Sequence, residues 1–375
     1  MRSFPIALLV MFVSLFASSS VVAEGQTAIR VGWIGPLTGN ASALGIDSAP
    51  TVKMVFDRIN ASGGANGRKL ELVIEDDQYS TAKAVAAYKN LVEVQKIKII
   101  FVITYGGFFA LANQAERDGV LLLNPLDCDE AIAKLPSNSL CIAKKTEDLG
   151  ITIAEAAIKD GTTPSALIYF ENDPFMGTAA KASQDRFLAS QHPIALSSGY
   201  AGATVDFRSI LIHAKKKGAK SLFFFGYDEM GLAMKQARDM GIEVPFYATG
   251  TITSPGYKSS AGSAAEGAKV VHWFAPRGEK YTEFIDAFVK EVGRKPILEI
   301  STIPSFDIAE MLGNFLKKAT TSSSNTIDLN MLKEQFYAVR NYDGLSGKIT
   351  IDPDGITRCF QNHIYRFERG ELRPN

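Results

Sequence analysis

Between Leu121 and Glu130 the chain reads LLLNPLDCDE: an apolar run passes through Asn-Pro, and three acids, Asp127, Asp129 and Glu130, then crowd around Cys128. Carboxylates beside a thiol could serve an acid–base or nucleophilic step, hold a metal, or pair with a cation. The first two uses need companions, and the sequence supplies none. The four histidines, His192, His213, His272 and His363, are scattered, and none stands at ligand spacing with a cysteine, so no metal is expected. No GxxxxGK[ST], no GxGxxG at a strand-to-helix turn, no GxSxG and no HExxH occurs, and no pattern sets a base against Cys128. Neither catalysis nor a cofactor is expected. Pairing with a cation is the use that remains open. The alternative is that both turn outward into water, where aspartates are common.

The chain has three cysteines, Cys128, Cys141 and Cys359. An odd number leaves at least one unpaired. Cys128 and Cys141 bracket DEAIAKLPSNSL, so a bridge between them would close a compact loop; two buried thiols, acting as small apolar residues, are the other reading.

These residues need a scaffold, and from Ile29 onward short β-branched runs alternate with segments of helical period. IRVGWIGPLTG reads as a strand entering a glycine turn, and Val52, Val55, Phe56 and Ile59 share one helical face that stops at Gly63-Gly64. KLELVIEDD is a strand, followed by a helix over 81–94, a strand over 98–104, a helix over 109–118 and the apolar strand that begins at Leu121. Four βα units in a row predict a parallel sheet covered by helices on both faces. The same alternation restarts after Thr146, which predicts a second sheet. A third stretch, from about Val270, has too few strands for a domain of its own and completes both lobes.

Ligands of doubly wound sheets collect beyond the carboxyl ends of the strands. Those ends carry Pro36-Leu37-Thr38, Asp76 to Tyr79, Thr104 to Gly107, Asn124 to Asp129, Glu171 to Phe175, Gly226 to Asp228 and Thr249 to Thr251. Aromatics mixed with hydroxyls and a few carboxylates make a binding-site composition. The N–H groups of Gly35 to Gly39 could receive a carboxylate, or this could be a plain turn.

Composition narrows the partner. The 375 residues are 46% hydrophobic and 21% charged, with 40 basic residues balancing 40 acidic ones. No basic stripe interleaved with aromatics appears, so neither nucleic acid nor an anionic membrane is expected, and a small neutral or zwitterionic ligand fits better. MRSFPIALLVMFVSLFASSSVVAEG has the form of a secretory signal cut after Ala23, with no Cys nearby for a lipid anchor. The expectation is a free periplasmic protein, not a lipoprotein, and a monomer.

The stretches IRVGWIGPLTG, FDRINASGGANGRKLELVIEDDQYSTAKAV, DGVLLLNP, YFENDPFMG, FFFGYDEMGLAMKQARDMGI, SAAEGAKVV, PSFDIAEML and LSGKITIDPDG run in order over nearly the whole chain. Together they resemble the periplasmic substrate-binding proteins of ABC transporters, of the branched-chain amino acid (Leu/Ile/Val) type. The resemblance implies the type I fold: two Rossmann-like α/β lobes, joined by three crossovers, that close on a ligand in the cleft and present it to a membrane permease. Its lobes would be 28–145 plus 275–340, and 146–274 plus 341–375. It implies a cleft lined by Leu37, Leu44, Tyr105, Gly106, Phe108, Asp127, Cys128, Asp129, Phe175, Tyr227, Thr249 and Thr251. At the positions where the family grips an amino acid's carboxylate and ammonium, this chain has Tyr105-Gly106-Gly107-Phe108, Leu126-Asp127-Cys128-Asp129 and Thr249-Gly250-Thr251. That departure favours an amine or aromatic ligand over leucine, with an aspartate on the cation and Tyr105, Phe108, Phe175 and Tyr227 around the apolar body. A sensory receptor serving a chemoreceptor or histidine kinase is the alternative on the same scaffold. An exported enzyme using Asp127, Asp129 or Cys128 is a third.

Overall fold

The computed structural model describes residues 27–202, 204–273, 278–320 and 326–375. The expected signal segment, 1–23, lies outside them. Runs such as Ile99–Val102 and Leu121–Leu123 are buried along their whole length, the environment of parallel strands covered on both faces. They belong to a five-stranded sheet of β1 (Ile29–Gly35), β2 (Leu70–Asp76), β3 (Ile99–Val102), β4 (Leu121–Asn124) and, after a two-residue β5 (Asp127–Cys128), β6 (Ser139–Cys141). The order is β2-β1-β3-β4-β6, parallel throughout. Strand β5 leaves this sheet and pairs with β7 (Lys144–Lys145), which puts Asp127 opposite Lys144.

Helices α1 (Ser48–Ala61), α2 (Thr81–Lys89) and α3 (Tyr105–Asp118) connect these strands. The buried face of α1 carries Val52, Val55, Phe56 and Ile59, as its sequence spacing requires. At Gly64, φ is +71° and a Cβ would lie 2.2 Å from the Arg68 carbonyl, so the turn closing α1 needs glycine. Two helix limits differ from expectation. Helix α2 gives way to a π turn over Asn90–Val94, and α3 begins at Tyr105, four residues early, despite Gly106 and Gly107.

The second sheet repeats the plan. After α4 (Thr146–Lys159) come β8 (Ser165–Phe170), α5 (Pro174–Ala189), β9 (Ile194–Tyr200), α6 (Arg208–Lys216), β10 (Ser221–Phe225), α7 (Glu229–Asp239), β11 (Phe246–Thr249), α8 (Pro255–Ala261) and β12 (Lys269–His272). The parallel order β9-β8-β10-β11-β12 is the order of the first sheet again, and the chain's last strands, β15 (His363–Glu368) and β16 (Glu371–Pro374), extend it antiparallel. In both sheets the strand order reverses beside the first strand, at β1/β3 and at β8/β10. Those two switch points are where ligand crevices open.

The chain returns between the sheets through α9 (Glu279–Val292), α10 (Glu299–Ala319) and α11 (Leu329–Tyr337), then a hairpin of β13 (Tyr342–Gly344) and β14 (Gly347–Ile349). Helix α10 packs along α1, and buried Asp307 of α10 accepts from the backbone N–H groups of Leu345 and Ser346 at 2.5 and 2.8 Å, which docks the hairpin on the helices of the first sheet.

The passages between the lobes are clasped to one another. Thr357 Oγ1 accepts from the N–H of Ala143 and donates to its carbonyl, Cys141 N–H donates to the Gly355 carbonyl, and Trp273 meets Phe360 edge-on at 5.5 Å. Arg358 bridges Glu130, Asp352 and Asp354. A disulfide joins Cys128 to Cys141, Cα to Cα 5.6 Å, and Cys359 is free and exposed.

Helices α4 and α5 pack closely because Gly150 lets them: a Cβ there would stand 2.1 Å from the Ala179 carbonyl oxygen. Gly150→Val is expected to cost about 3 kcal/mol through overpacking. Gly177, on α5 with open space where its Cβ would lie, should gain about 0.5–1 kcal/mol as Gly177→Ala. Urea unfolding of the two variants reads both signs.

Candidate functional site

The carboxyl ends of the strands carry aspartates, and each spends its oxygens on the loops around it. Asp76, at the end of β2, accepts from the N–H of Leu37 at 2.9 Å, the hydroxyl of Thr38 at 2.7 Å and the N–H of Gln78 at 3.0 Å. The turn after β1 thus does receive a carboxylate, and it is the chain's own. The next residue, Asp77, is buried; it accepts from the Thr104 hydroxyl just ahead of α3 and from the N–H of Tyr79 at 2.8 Å. Burial pushes Asp77 up to about 6. Its two bonds fix both the start of α3, where Tyr105 stands, and a turn in which Gln78 and Tyr79 adopt left-handed φ of 53° and 60°. Left-handed backbone in two successive non-glycine residues is strained, and such strain persists where the surroundings hold a side chain in place.

In the Asn-Pro turn after β4, Asn124 Oδ1 accepts from the N–H of Leu126 at 2.8 Å and its amide donates to the Asp127 carbonyl at 3.2 Å. This Asx turn delivers Asp127 into β5, where the ammonium of Lys144 pairs with its carboxylate; only 1% of Asp127 and 4% of Lys144 are exposed. Lys144 also donates to the Leu126 carbonyl at 3.1 Å and sits 5.6 Å over the ring of Phe175. Asp129 turns back into its own loop, accepts from the N–H of Ile132 at 2.7 Å, and is pushed by burial up to about 6. The carboxylate expected to meet a cationic solute therefore already has its cation, and the second acid caps a turn. Neither points into water: both are buried.

On the second lobe, Asp173 caps α5 by accepting from the N–H of Phe175 at 3.0 Å. Its other oxygen is 2.6 Å from the hydroxyl of Tyr227, which is itself 2.9 Å from the hydroxyl of Tyr79 on the first lobe. The rings of Tyr79 and Tyr227 meet edge-on at 5.4 Å. A hydrogen-bonded chain thus crosses from the loop after β2 on one lobe to the β8/β10 switch point on the other. Burial pushes Asp173 up to about 7. Beside it, Tyr105 of the first lobe lies 6.1 Å from Phe175 of the second, its hydroxyl buried without a hydrogen-bond partner. Thr249 and Thr251 bond to each other at 2.7 Å, and Thr251 donates to the Gly226 carbonyl at 2.8 Å. They line a narrow cavity with Lys144, Phe175, His272 and Ile300.

Of the residues read from the sequence, Tyr105, Asp127, Phe175, Tyr227, Thr249 and Thr251 come together between the lobes. Gly106 stands at the lobe contact, where a Cβ would meet Thr81 of one lobe at 2.5 Å and Pro174 of the other at 3.9 Å. Leu37 is partly buried, Leu44 and Phe108 lie in the apolar core, and Cys128 is taken up in the disulfide. In the sequence, Tyr79 and Asp173 fall within strand-end stretches without standing out as individual site residues, and Lys144 falls in none. For Asp173 a signal existed, since Asp-Pro is a helix-start pair. For Lys144 none did, because its partner lies across a two-residue strand pairing. Among the described residues no group of His, Cys, Asp and Glu could hold a metal ion.

Two expectations follow from these buried charges. Asp77, Asp129 and Asp307 at about 6 and Asp173 at about 7 hold protons that the unfolded chain releases near pH 4. Their contribution to stability is full below about pH 4 and is lost as pH rises through 6 to 7. The thermal midpoint should therefore rise as pH is lowered from about 8 to about 5, and Asp173→Asn should flatten the upper part of that rise. Lys144→Met strands the Asp127 carboxylate and should cost about 3–5 kcal/mol, of which adding Asp127→Leu should restore a large part; denaturant titration of the single and double variants measures the recovery.

Residues 28–362 match a family model described as periplasmic binding protein. Over 376 aligned residues the chain is 24% identical to the leucine-, isoleucine-, valine-, threonine- and alanine-binding protein of Pseudomonas aeruginosa, covering 97% of this chain and 95% of that one. Among solved structures, LivJ of Streptococcus pneumoniae in complex with isoleucine superposes with a TM-score of 0.81 at 20% identity, covering 92% of this chain and 98% of that one. A solute-binding protein of an ABC transporter from R. palustris in complex with benzoate superposes with a TM-score of 0.79 at 17% identity, covering 92% and 95%. No helix among the described residues is long and apolar enough to cross a membrane. With two like-ordered sheets and a match over nearly its full length, the chain belongs to the periplasmic binding proteins and has their type I fold.

Proposed function

We propose that this periplasmic binding protein captures a small aromatic carboxylic acid between its lobes and hands it to the permease of an ABC transporter. The lobes in this reading are 28–145 with 278–351, and 146–273 with 352–375; the docking of the hairpin on Asp307 supports a last boundary beyond the 341 read from the sequence. The observation that carries the reading is the facing of rings across the cleft, Tyr105 and Tyr79 on one side against Phe175 and Tyr227 on the other. Rings contributed from both sides, tilted or edge-on to one another, favour an aromatic solute. A free amino acid needs a fixed anion for its ammonium as well as donors for its carboxylate, and the first-lobe acid best placed for the former, Asp127, is bound to Lys144. A structural relative that holds benzoate supports the class of solute.

Thermal unfolding with benzoate, 4-hydroxybenzoate, leucine and isoleucine tests the proposal. A bound acid at a hundred times its Kd should stabilise the protein by about 2.7 kcal/mol. Phe175→Ala and Tyr227→Ala should each weaken binding at least about tenfold, as for ring anchors elsewhere. Stabilisation by leucine with none by the aromatic acids would contradict the aromatic reading.

A further inference from the structure

The chain Asp173–Tyr227–Tyr79 contains three groups and two hydrogen bonds, so the number of protons in it decides what its far end offers. Tyr227 and Asp173 are buried, and Tyr79, held in its left-handed turn by Asp77, is a partly buried residue whose hydroxyl forms the end of the chain. With Asp173 ionised there are two protons for two bonds. Tyr227 donates to Asp173, Tyr79 donates to Tyr227, and the Tyr79 oxygen is left as an acceptor. With Asp173 protonated there are three. Asp173 donates to Tyr227, Tyr227 donates to Tyr79, and the Tyr79 hydroxyl is left as a donor.

We propose that this chain selects the charge of the solute: a carboxylate is captured by the donor form of Tyr79, and its binding draws one proton onto Asp173. The proton comes from the solution's buffer acid, which loses it as one O–H forms at Asp173; the two tyrosine hydroxyls only reverse their direction of donation. The inference rests on the aromatic-acid reading given above.

The surroundings of Asp173 suit such a proton. The acids facing it are Asp127, already paired with Lys144, and Glu229, one of whose oxygens accepts from the Tyr200 hydroxyl at 2.6 Å and from the N–H of Tyr227 at 3.3 Å. Asp77 sits behind Tyr79 and is occupied by Thr104 and the Tyr79 N–H. The N–H of Phe175 caps the oxygen of Asp173 that the chain does not use. Burial places the acid at about 7, so the proton is exchanged near neutrality, where an aromatic carboxylic acid in solution is fully ionised and does not itself supply it.

Titration calorimetry of benzoate against the whole protein, in buffers of different ionisation heat, counts the protons taken up. Uptake approaching one proton is expected at about pH 8, with Kd rising about tenfold per pH unit above about 7. In Asp173→Asn the side-chain amide donates permanently to Tyr227, so benzoate should bind without proton uptake and with a Kd independent of pH to about pH 9. Tyr79→Phe, on its partly exposed turn, should lose both the uptake and about tenfold in affinity, and it carries the test should Asp173→Asn fail to fold. Benzoate bound with no uptake, or with uptake unchanged in Asp173→Asn or in Tyr79→Phe, would overturn the selecting chain and leave the aromatic-acid reading standing. A folded wild-type protein that binds none of the aromatic acids overturns both.

Discussion

A carboxylate withdrawn from water must be met by a cation, by donors or by a proton, and this fold places buried aspartates at the edge of its cleft. Each finds a different answer. Asp77 takes a hydroxyl and a backbone N–H, Asp127 takes Lys144, Asp129 takes its own loop, and Asp173 takes a helix start and a tyrosine. These answers set the architecture of the site. The bonds of Asp77 aim Tyr79 and seat α3, the pair at Asp127 positions a cation against Phe175, and the bonds of Asp173 lead to the first lobe through Tyr227. Rings fill what remains, so the cleft is an aromatic space edged by acids that are already engaged.

The other requirement of the fold is that two sheets of the same strand order face one another. Passages that are bonded to each other meet it. Thr357 grips Ala143 from both sides, Trp273 meets Phe360, and the Cys128–Cys141 bridge ties the loop bearing Asp127 to the last strand of the first sheet. Glu130 is part of the same clasp: hydrogen bonds from Arg358 and Lys145 hold it down at about 2. The acids around Cys128 thus divide between cleft and hinge, and none is left free to serve a solute by charge alone.

Much of this was legible in the residues. The alternation of β-branched runs with helical spacing marks the two sheets, and Phe175 and Tyr227 fall where strand ends open on the cleft. What the sequence hid has physical causes. A Gly-Gly pair reads as a loop, yet α3 begins at Tyr105 because Thr104 ahead of it is anchored by Asp77 and Gly107 packs against Ala84, where a Cβ would have only 2.7 Å. Tyr79 owes its position to left-handed backbone, which residue types other than glycine and asparagine do not announce. Lys144 is far from Asp127 along the chain, and only the pairing of β5 with β7 brings them together. The cation sought for Asp127 in the solute was in the protein.

The central claim is that rings contributed by both lobes hold a flat acid at the crossing of Tyr79 and Tyr227. A crystal structure of the protein grown with 4-hydroxybenzoate tests it most directly. The account predicts density for the ring between Tyr105, Phe175 and Tyr227, with a carboxylate oxygen within hydrogen-bond distance of the Tyr79 hydroxyl. A ligand seated outside the interlobe cleft, or one bound there through Asp127 after displacing Lys144, would contradict it.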